Sequence, residues 1–166
     1  MNTKILVLGD IFLEPPQYFL DNFKFIDGII IDFSCDEIVK YIKGENDKKI
    51  FLSQNNNRFN LPAYPMHELF LGHKYRGPFT LGARYCSTLT EYGCPFKCSF
   101  CIMGKLRYKY RDTENVISEL EYIKSLGVKE VFFIDQTFGA NKLKTKKLII
   151  EMINRNLGLK WFCFSR

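Results

Sequence analysis

Histidine is scarce in this chain: two residues, His67 and His73, among 166. Neither stands at zinc-finger spacing from a cysteine pair, which excludes a Cys2His2 finger. Long apolar runs are missing too. None approaches the roughly 18 residues that a membrane span needs. The first residues, Met1 to Lys4, lead straight into a short apolar stretch with no small-residue cleavage site, so no signal peptide is expected. Repeats and low-complexity tracts are also lacking. These absences point to a cytoplasmic protein with no membrane partner.

What is there is an ordinary globular balance. The residues are 46% hydrophobic and 25% charged, and 16% are aromatic, including 16 Phe. That is enough apolar bulk for a sizeable core and argues against a disordered tail. The net charge of +6 is unevenly spread. Residues 1–60 carry 7 basic and 9 acidic side chains, and residues 61–166 carry 17 and 9. A basic half suits either an anionic partner or a solvated lysine surface.

Periodicity divides the chain. Thr3 to Gly9 and Asp27 to Asp32 read as buried parallel strands. Pro15 and Pro16 open a helix through Asn22. Asp36 to Lys43 reads as a helix with Ile38, Val39 and Ile42 on one face and Gly44 as its stop. Residues 1–52 are thus a partial α/β domain, and residues 53–80 a linker. In residues 81–166 a strand at Arg84–Thr90 runs into a cysteine loop. A helix follows over Asp112–Leu126, capped by Asp112 or Thr113, with Val116, Ile117, Leu120 and Ile123 inward. Then come a strand at Val128–Ile134, a helix at Lys142–Asn156 with Leu148, Ile149, Met152 and Ile153 inward, and a strand at Leu159–Phe164. Right-handed βαβ crossovers of this kind build a parallel sheet or barrel. A barrel takes roughly 200 residues or more. Three strands cannot close one, and the expectation is an incomplete chain.

Six cysteines in a cytoplasmic chain are not read as disulfides. Cys35, Cys86 and Cys163 stand alone in apolar surroundings and are expected in the core. The other three form Cys94-Pro-Phe-Lys-Cys98-Ser-Phe-Cys101. Three thiolates on one short loop suit a soft metal centre. A four-iron cluster ordinarily takes four cysteines, so three leave one iron open to a substrate or cofactor. Structural zinc asks for four closed ligands. The loop follows a strand and precedes a helix, where barrels of this kind keep their chemistry.

Residues 62–166 resemble the radical S-adenosylmethionine (SAM) enzymes. The resemblance rests on the cysteine motif with Phe100 before its third cysteine, on Tyr110-Arg111, on Phe133-Ile134-Asp135-Gln136-Thr137-Phe138, and on Trp161 to Arg166. The combination is similar to the branch that carries a cobalamin-binding domain ahead of the barrel, and residues 1–60 resemble the last part of that domain. The implied fold is α/β: the first three strands of a radical SAM barrel after the end of a Rossmann-like cobalamin-binding-type domain.

The resemblance implies that Cys94, Cys98 and Cys101 hold a [4Fe-4S] cluster. It implies that the cluster cleaves SAM reductively to a 5′-deoxyadenosyl radical, for hydrogen abstraction or methyl transfer on an unknown substrate. Phe100 would lie near the adenine. Asp135, Gln136 and Thr137 would contact the SAM amino group, and Ser165 and Arg166 its ribose or carboxylate. The electron donor would be a protein such as a flavodoxin or ferredoxin. Cobalamin stays open, because the branch's histidine-ligand motif has no counterpart before His67.

A different class remains beside this one: a non-catalytic zinc or iron–sulfur module that binds RNA through its basic half. Gly104 to Asp112 (GKLRYKYRD) interleaves basic and aromatic residues as such a surface would. The favoured reading of that stretch is a cover for the cluster with its aromatics turned in, and no nucleic-acid partner is expected. A third alternative is a degenerate remnant whose open sheet edge favours aggregation. His67 and His73 are expected at the surface or in the linker.

Overall fold

Short apolar segments separated by amphipathic ones give parallel strands with helical crossovers. A computed structural model shows this arrangement and describes residues 3–13, 15–53, 57–61, 64–72, 77–82 and 84–166. The chain forms two units. The first takes the described residues up to Ser53 together with Phe96–Leu106; the second takes Asn57–Pro95 and Arg107–Arg166. Among the described residues no helix is long and apolar enough to cross a membrane.

In the first unit, strands β1 (Leu6–Leu8), β2 (Gly28–Ile30) and β3 (Ile50–Phe51) form a parallel sheet in that order. Helices α1 (Pro16–Asn22) and α2 (Glu37–Ile42) lie in the connections. Pro16 occupies the first turn of α1, where its missing N–H costs no hydrogen bond. β1 is parallel as expected but not buried, with Leu8 69% exposed. The inward face of α2 also differs from expectation. Val39 and Ile42 are exposed and Tyr41 is the buried residue. Its ring meets Phe51 edge-on at 5.3 Å, and its hydroxyl donates to the Asp27 carbonyl at 3.2 Å. One large ring with a satisfied polar tip thus takes the place of two aliphatic side chains. β2 needs Gly28: a Cβ there would stand 2.7 Å from Phe51 Cε2 and 2.9 Å from Leu6 Cδ2.

In the second unit, β4 (Cys86–Thr88), β7 (Glu130–Phe133) and β8 (Lys160–Cys163) form a parallel sheet, with β7 central. The short strands β5 (Glu91–Tyr92) and β6 (Lys109–Tyr110), which follow β4 in the chain, make a separate antiparallel pair. Helix α3 (Thr113–Ser125) connects the ribbon to β7, and α4 (Lys142–Asn154) connects β7 to β8.

Val131 and Phe133 of β7 pack against Ile117, Leu120 and Ile123 of α3 and Leu148 and Met152 of α4. The four inward positions expected of α3 are all fully buried. On α4, Leu148 and Met152 are buried, but Ile153 is 70% exposed. Helix geometry explains the difference. Leu148 and Met152 lie four apart on one face, and Ile153 stands a further 100° round the helix. The Asp112 side chain does not cap α3; it accepts from Asn60 Nδ2 at 3.0 Å. Of the three lone cysteines, Cys35 and Cys86 are buried as expected, and Cys163 is half-buried.

The other face of this sheet is aromatic. Phe132 stacks on Phe162 with centroids 4.5 Å apart, and Tyr85 lies beside Phe162. With Phe79 and Phe164 they line a cavity of about 410 Å³.

Candidate metal and cofactor site

The cysteine loop leaves and re-enters the second unit through the ribbon of β5 and β6, with Glu91 opposite Tyr110 and Tyr92 opposite Lys109. The ribbon is tied to the end of β4, since Arg111 N donates to Thr90 O at 2.9 Å. Gly93 then turns the chain with φ +72°, a conformation that glycine adopts without steric cost. That turn delivers Cys94, half-buried, with Sγ 3.6 Å from Thr137 Oγ1.

Cys98 and Cys101 are described with the first unit. Cys98 is half-buried and Cys101 exposed, and Cys101 N donates to Cys98 O at 3.1 Å, so the x2 spacing forms a tight turn. The 3-10 turn Ile102–Lys105 doubles back on this segment. A Cβ on Gly104 would stand 2.6 Å from the Phe96 carbonyl oxygen, an approach that glycine alone permits. Phe100 is 91% exposed.

No cysteine forms a disulfide. Among the described residues no group of three or more His, Cys, Asp and Glu side chains is drawn together around one metal position. The donor chemistry nonetheless fits a soft metal centre: three thiols on one short loop, close-turned by Gly93 and Gly104 and partly open to solvent.

The loop after β7 carries Asp135, Gln136 and Thr137. Asp135 is 1% exposed and faces inward. Its Oδ1 accepts from Thr90 N at 2.7 Å and Glu91 N at 2.6 Å, and its Oδ2 accepts from Thr90 Oγ1 at 3.1 Å. Burial pushes this carboxyl up to about 6, against the pull of those hydrogen bonds. Both oxygens are therefore engaged by the turn between β4 and β5. Glu91 is buried as well. Its Oε1 accepts from Tyr108 Oη at 2.6 Å and Asn141 N at 3.2 Å, and burial raises its pKa. Gln136 is exposed and Thr137 half-buried. Phe138 N donates to Phe164 O at 2.8 Å, and Ser165 Oγ donates to Phe138 O at 3.0 Å, which joins the ends of β7 and β8. Arg166 is exposed. The structure thus brings Thr137 to Cys94, Asp135 to the Thr90–Glu91 turn, and Ser165 to the backbone of Phe138.

Sequence reasoning missed the polar group behind these loops. Glu119 of α3 is fully buried. Its Oε1 lies 2.9 Å from His67 Nε2, and its Oε2 accepts from Arg111 Nη1 at 2.6 Å and Thr88 Oγ1 at 2.8 Å. Arg111 also donates to Leu89 O and to Asn115 Oδ1. His67 is therefore buried and structural, not a surface residue, because it supplies the third partner of an interior carboxylate. A glutamate on the apolar face of α3, beside Leu120, was the available signal. His73 lies outside the described residues. Tyr108 is half-buried and Lys109 is 1% exposed, so this part of the GKLRYKYRD stretch turns inward.

No protein-family profile matches the chain. Individual proteins do. An uncharacterized methyltransferase of Pyrococcus horikoshii is 31% identical over 129 residues, which are 75% of this chain and 27% of that protein. A ribosomal protein uS12 methylthiotransferase of Clostridium kluyveri is 37% identical over 152 residues, 87% of this chain and 33% of the relative. One from Acetivibrio thermocellus is 26% identical over 142 residues, covering 81% and 30%. Among solved structures, the radical SAM methyltransferase TsrM of Kitasatospora setae, with cobalamin and a [4Fe-4S] cluster bound, aligns with a TM-score of 0.59. It shares 18% identity, and the match covers 92% of this chain and 34% of that one. The chain spans about a third of the length of these relatives. It is a distant homologue of the radical SAM methyltransferases and methylthiotransferases.

Proposed function

We propose that this chain is the cluster- and SAM-binding portion of a radical SAM enzyme that transfers a methyl or methylthio group to a substrate the sequence does not name. In this reading the second unit is the opening part of a radical SAM barrel. Residues 1–52 are the end of a cobalamin-binding-type domain, and the whole cysteine loop, residues 96–106 included, belongs to the barrel. One observation carries the reading: the Cys94–Cys98–Cys101 motif leaves the C-terminal end of a parallel strand through a ribbon that closes its base.

Cys94, Cys98 and Cys101 are the residues to hold a [4Fe-4S] cluster, with one iron left for SAM. When bound and reduced, such a cluster supplies the electron that cleaves the sulfonium of SAM. The protein's part is placement. Gly93 sets the direction of Cys94, and Gly104 lets the far side of the loop fold close to Phe96. Asp135 contributes by bracing the Thr90–Glu91 turn, since both its oxygens are engaged there. Phe100, exposed beside Cys101, offers a flat apolar face to the adenine. Gln136 and Ser165 offer polar contacts at adjoining strand ends, and the Arg166 guanidinium suits a carboxylate. A small electron-transfer protein of the flavodoxin or ferredoxin class would deliver the electron. Cobalamin as a further cofactor of the full-length enzyme is part of the proposal only through the first unit's fold.

The test is an EPR spectrum of anaerobically reconstituted, dithionite-reduced protein with and without SAM. A reduced [4Fe-4S] signal that changes on adding SAM is expected, and Cys94→Ser, Cys98→Ser or Cys101→Ser should each abolish it. One bound zinc and no cluster would overturn the reading in favour of a metal-binding module. A cluster indifferent to SAM would remove the cofactor from it.

A further inference from the structure

Thr137 sits where its hydroxyl can reach the sulfur of the first cysteine, and its neighbours allow it little other choice. Asp135, two residues before it, is pinned by three hydrogen bonds to Thr90 and Glu91. Phe138, the next residue, is 5% exposed, stacks on Phe133 at 4.9 Å, and is tied through its N–H to Phe164 O. Ala140 N donates to Thr137 O at 3.2 Å. Cys94 is fixed from its own side by the Gly93 turn out of β5. Thr137 Oγ1 therefore stands 3.6 Å from Cys94 Sγ between two immobilised points, and it also lies 2.8 Å from Gln136 O.

A hydroxyl has one proton and two lone pairs. As a thiol, Cys94 can donate to Thr137 Oγ1 while the Thr137 proton stays on Gln136 O. As a metal-bound thiolate, Cys94 can only accept. The Thr137 proton can then rotate from the carbonyl to the sulfur without movement of the backbone.

We propose that Thr137 is a positioning and tuning residue for Cys94, donating a hydrogen bond to its thiolate in the loaded protein and raising the cluster's reduction potential. This rests on the cluster assignment above. Hydrogen bonds to ligand sulfurs withdraw negative charge and favour the reduced, more negative state of a cluster. The role differs from contact with SAM, because it acts before SAM binds.

The experiment is a redox titration, followed by EPR, of the full 166-residue chain reconstituted without SAM. Iron and sulfide content are measured in parallel. Thr137→Val keeps the shape and removes the donor; Thr137→Ser keeps the donor. Thr137→Val should move the midpoint potential to more negative values, and Thr137→Ser should return it to that of the unaltered chain. Loss of iron in the valine variant with retention in the serine variant would also support the hydroxyl's role. Equal potentials at equal iron content in all three proteins would overturn it. Loss of iron in both variants would overturn it as well, because the shape of the loop, not the hydroxyl, would then decide assembly. If the unaltered chain takes up no cluster, the function proposed above has failed, whereas a cluster unmoved by Thr137→Val sinks this inference alone.

Discussion

Replacing Glu119 with Gln keeps the side chain's shape and removes the charge at the centre of the buried polar group in the second unit. Glu119 is fully buried and serves His67, Arg111 and Thr88. Removing one member of a buried ion pair costs about 3–5 kcal/mol, because the partner's charge is left behind. Arg111 retains Leu89 O and Asn115 Oδ1, so the lower end, about 3 kcal/mol, applies. For a chain of this size that is roughly 6–12 °C in melting temperature. Urea unfolding followed by circular dichroism measures it as a fall in midpoint at unchanged slope.

The pH dependence provides a second, independent reading. His67 is raised from 6.5 to about 9, chiefly by hydrogen bonding with Cys86 and then with Glu119. A raised histidine contributes stability that is fully present below pH 6.5 and is lost as pH rises through about 9. The penalty of Glu119→Gln should therefore be largest near pH 6, where Glu119 is ionised and His67 protonated, and shrink towards pH 9.5, where only the Arg111 pairing is still missed. A penalty under about 1 kcal/mol, or one equal at pH 6 and pH 9.5, would refute the reasoning.

Asp135→Ala should cost about 2–4 kcal/mol by stranding the buried N–H groups of Thr90 and Glu91. Asp135→Asn should cost less. It should also remove this carboxyl's own contribution, which falls as pH rises from 3.8 to about 6, the range over which the folded state keeps a proton that the unfolded chain has already lost. Gly28→Ala should destabilise the first unit by about 1–3 kcal/mol, seen as faster limited proteolysis between β1 and β3, because the added methyl meets Phe51 and Leu6. Phe133→Ala, at a fully buried central-strand position, should cost the second unit about 3–5 kcal/mol in urea unfolding.

Where one physical signal dominated a segment, the sequence was readable. Val116, Ile117, Leu120 and Ile123 recur at helical spacing, and the helix buries all four. The β7 run VKEVFFI has the length and bulk of a central strand and is one. Two-residue strands such as β3 and β6 are too short to show a period, so they went unseen. On α2 and α4 the apolar residues spread over more than one face, and hydrophobicity alone cannot tell which of Val39, Ile42 and Ile153 stay in water. His67 was illegible for another reason. Its partner is 52 residues away, and nothing local marks a histidine that completes a distant carboxylate. The cysteine motif is visible in the sequence because its spacing is local. The bracing by Asp135 is not, because it depends on β4 and β7 being neighbours.

The ribbon of β5 and β6 makes the cysteine loop portable. Both ends of the segment from Gly93 to Tyr108 are gathered at one doorway, Glu91 opposite Tyr110, whatever lies between. Lengthening a loop already closed at its base adds little entropy cost, about 0.6 kcal/mol per doubling. The parallel sheet beneath need not change when the segment does. A loop from a relative, with its own number of residues, could be spliced in at the same two points, and cofactor handling could diverge between such proteins without disturbing the scaffold that carries it.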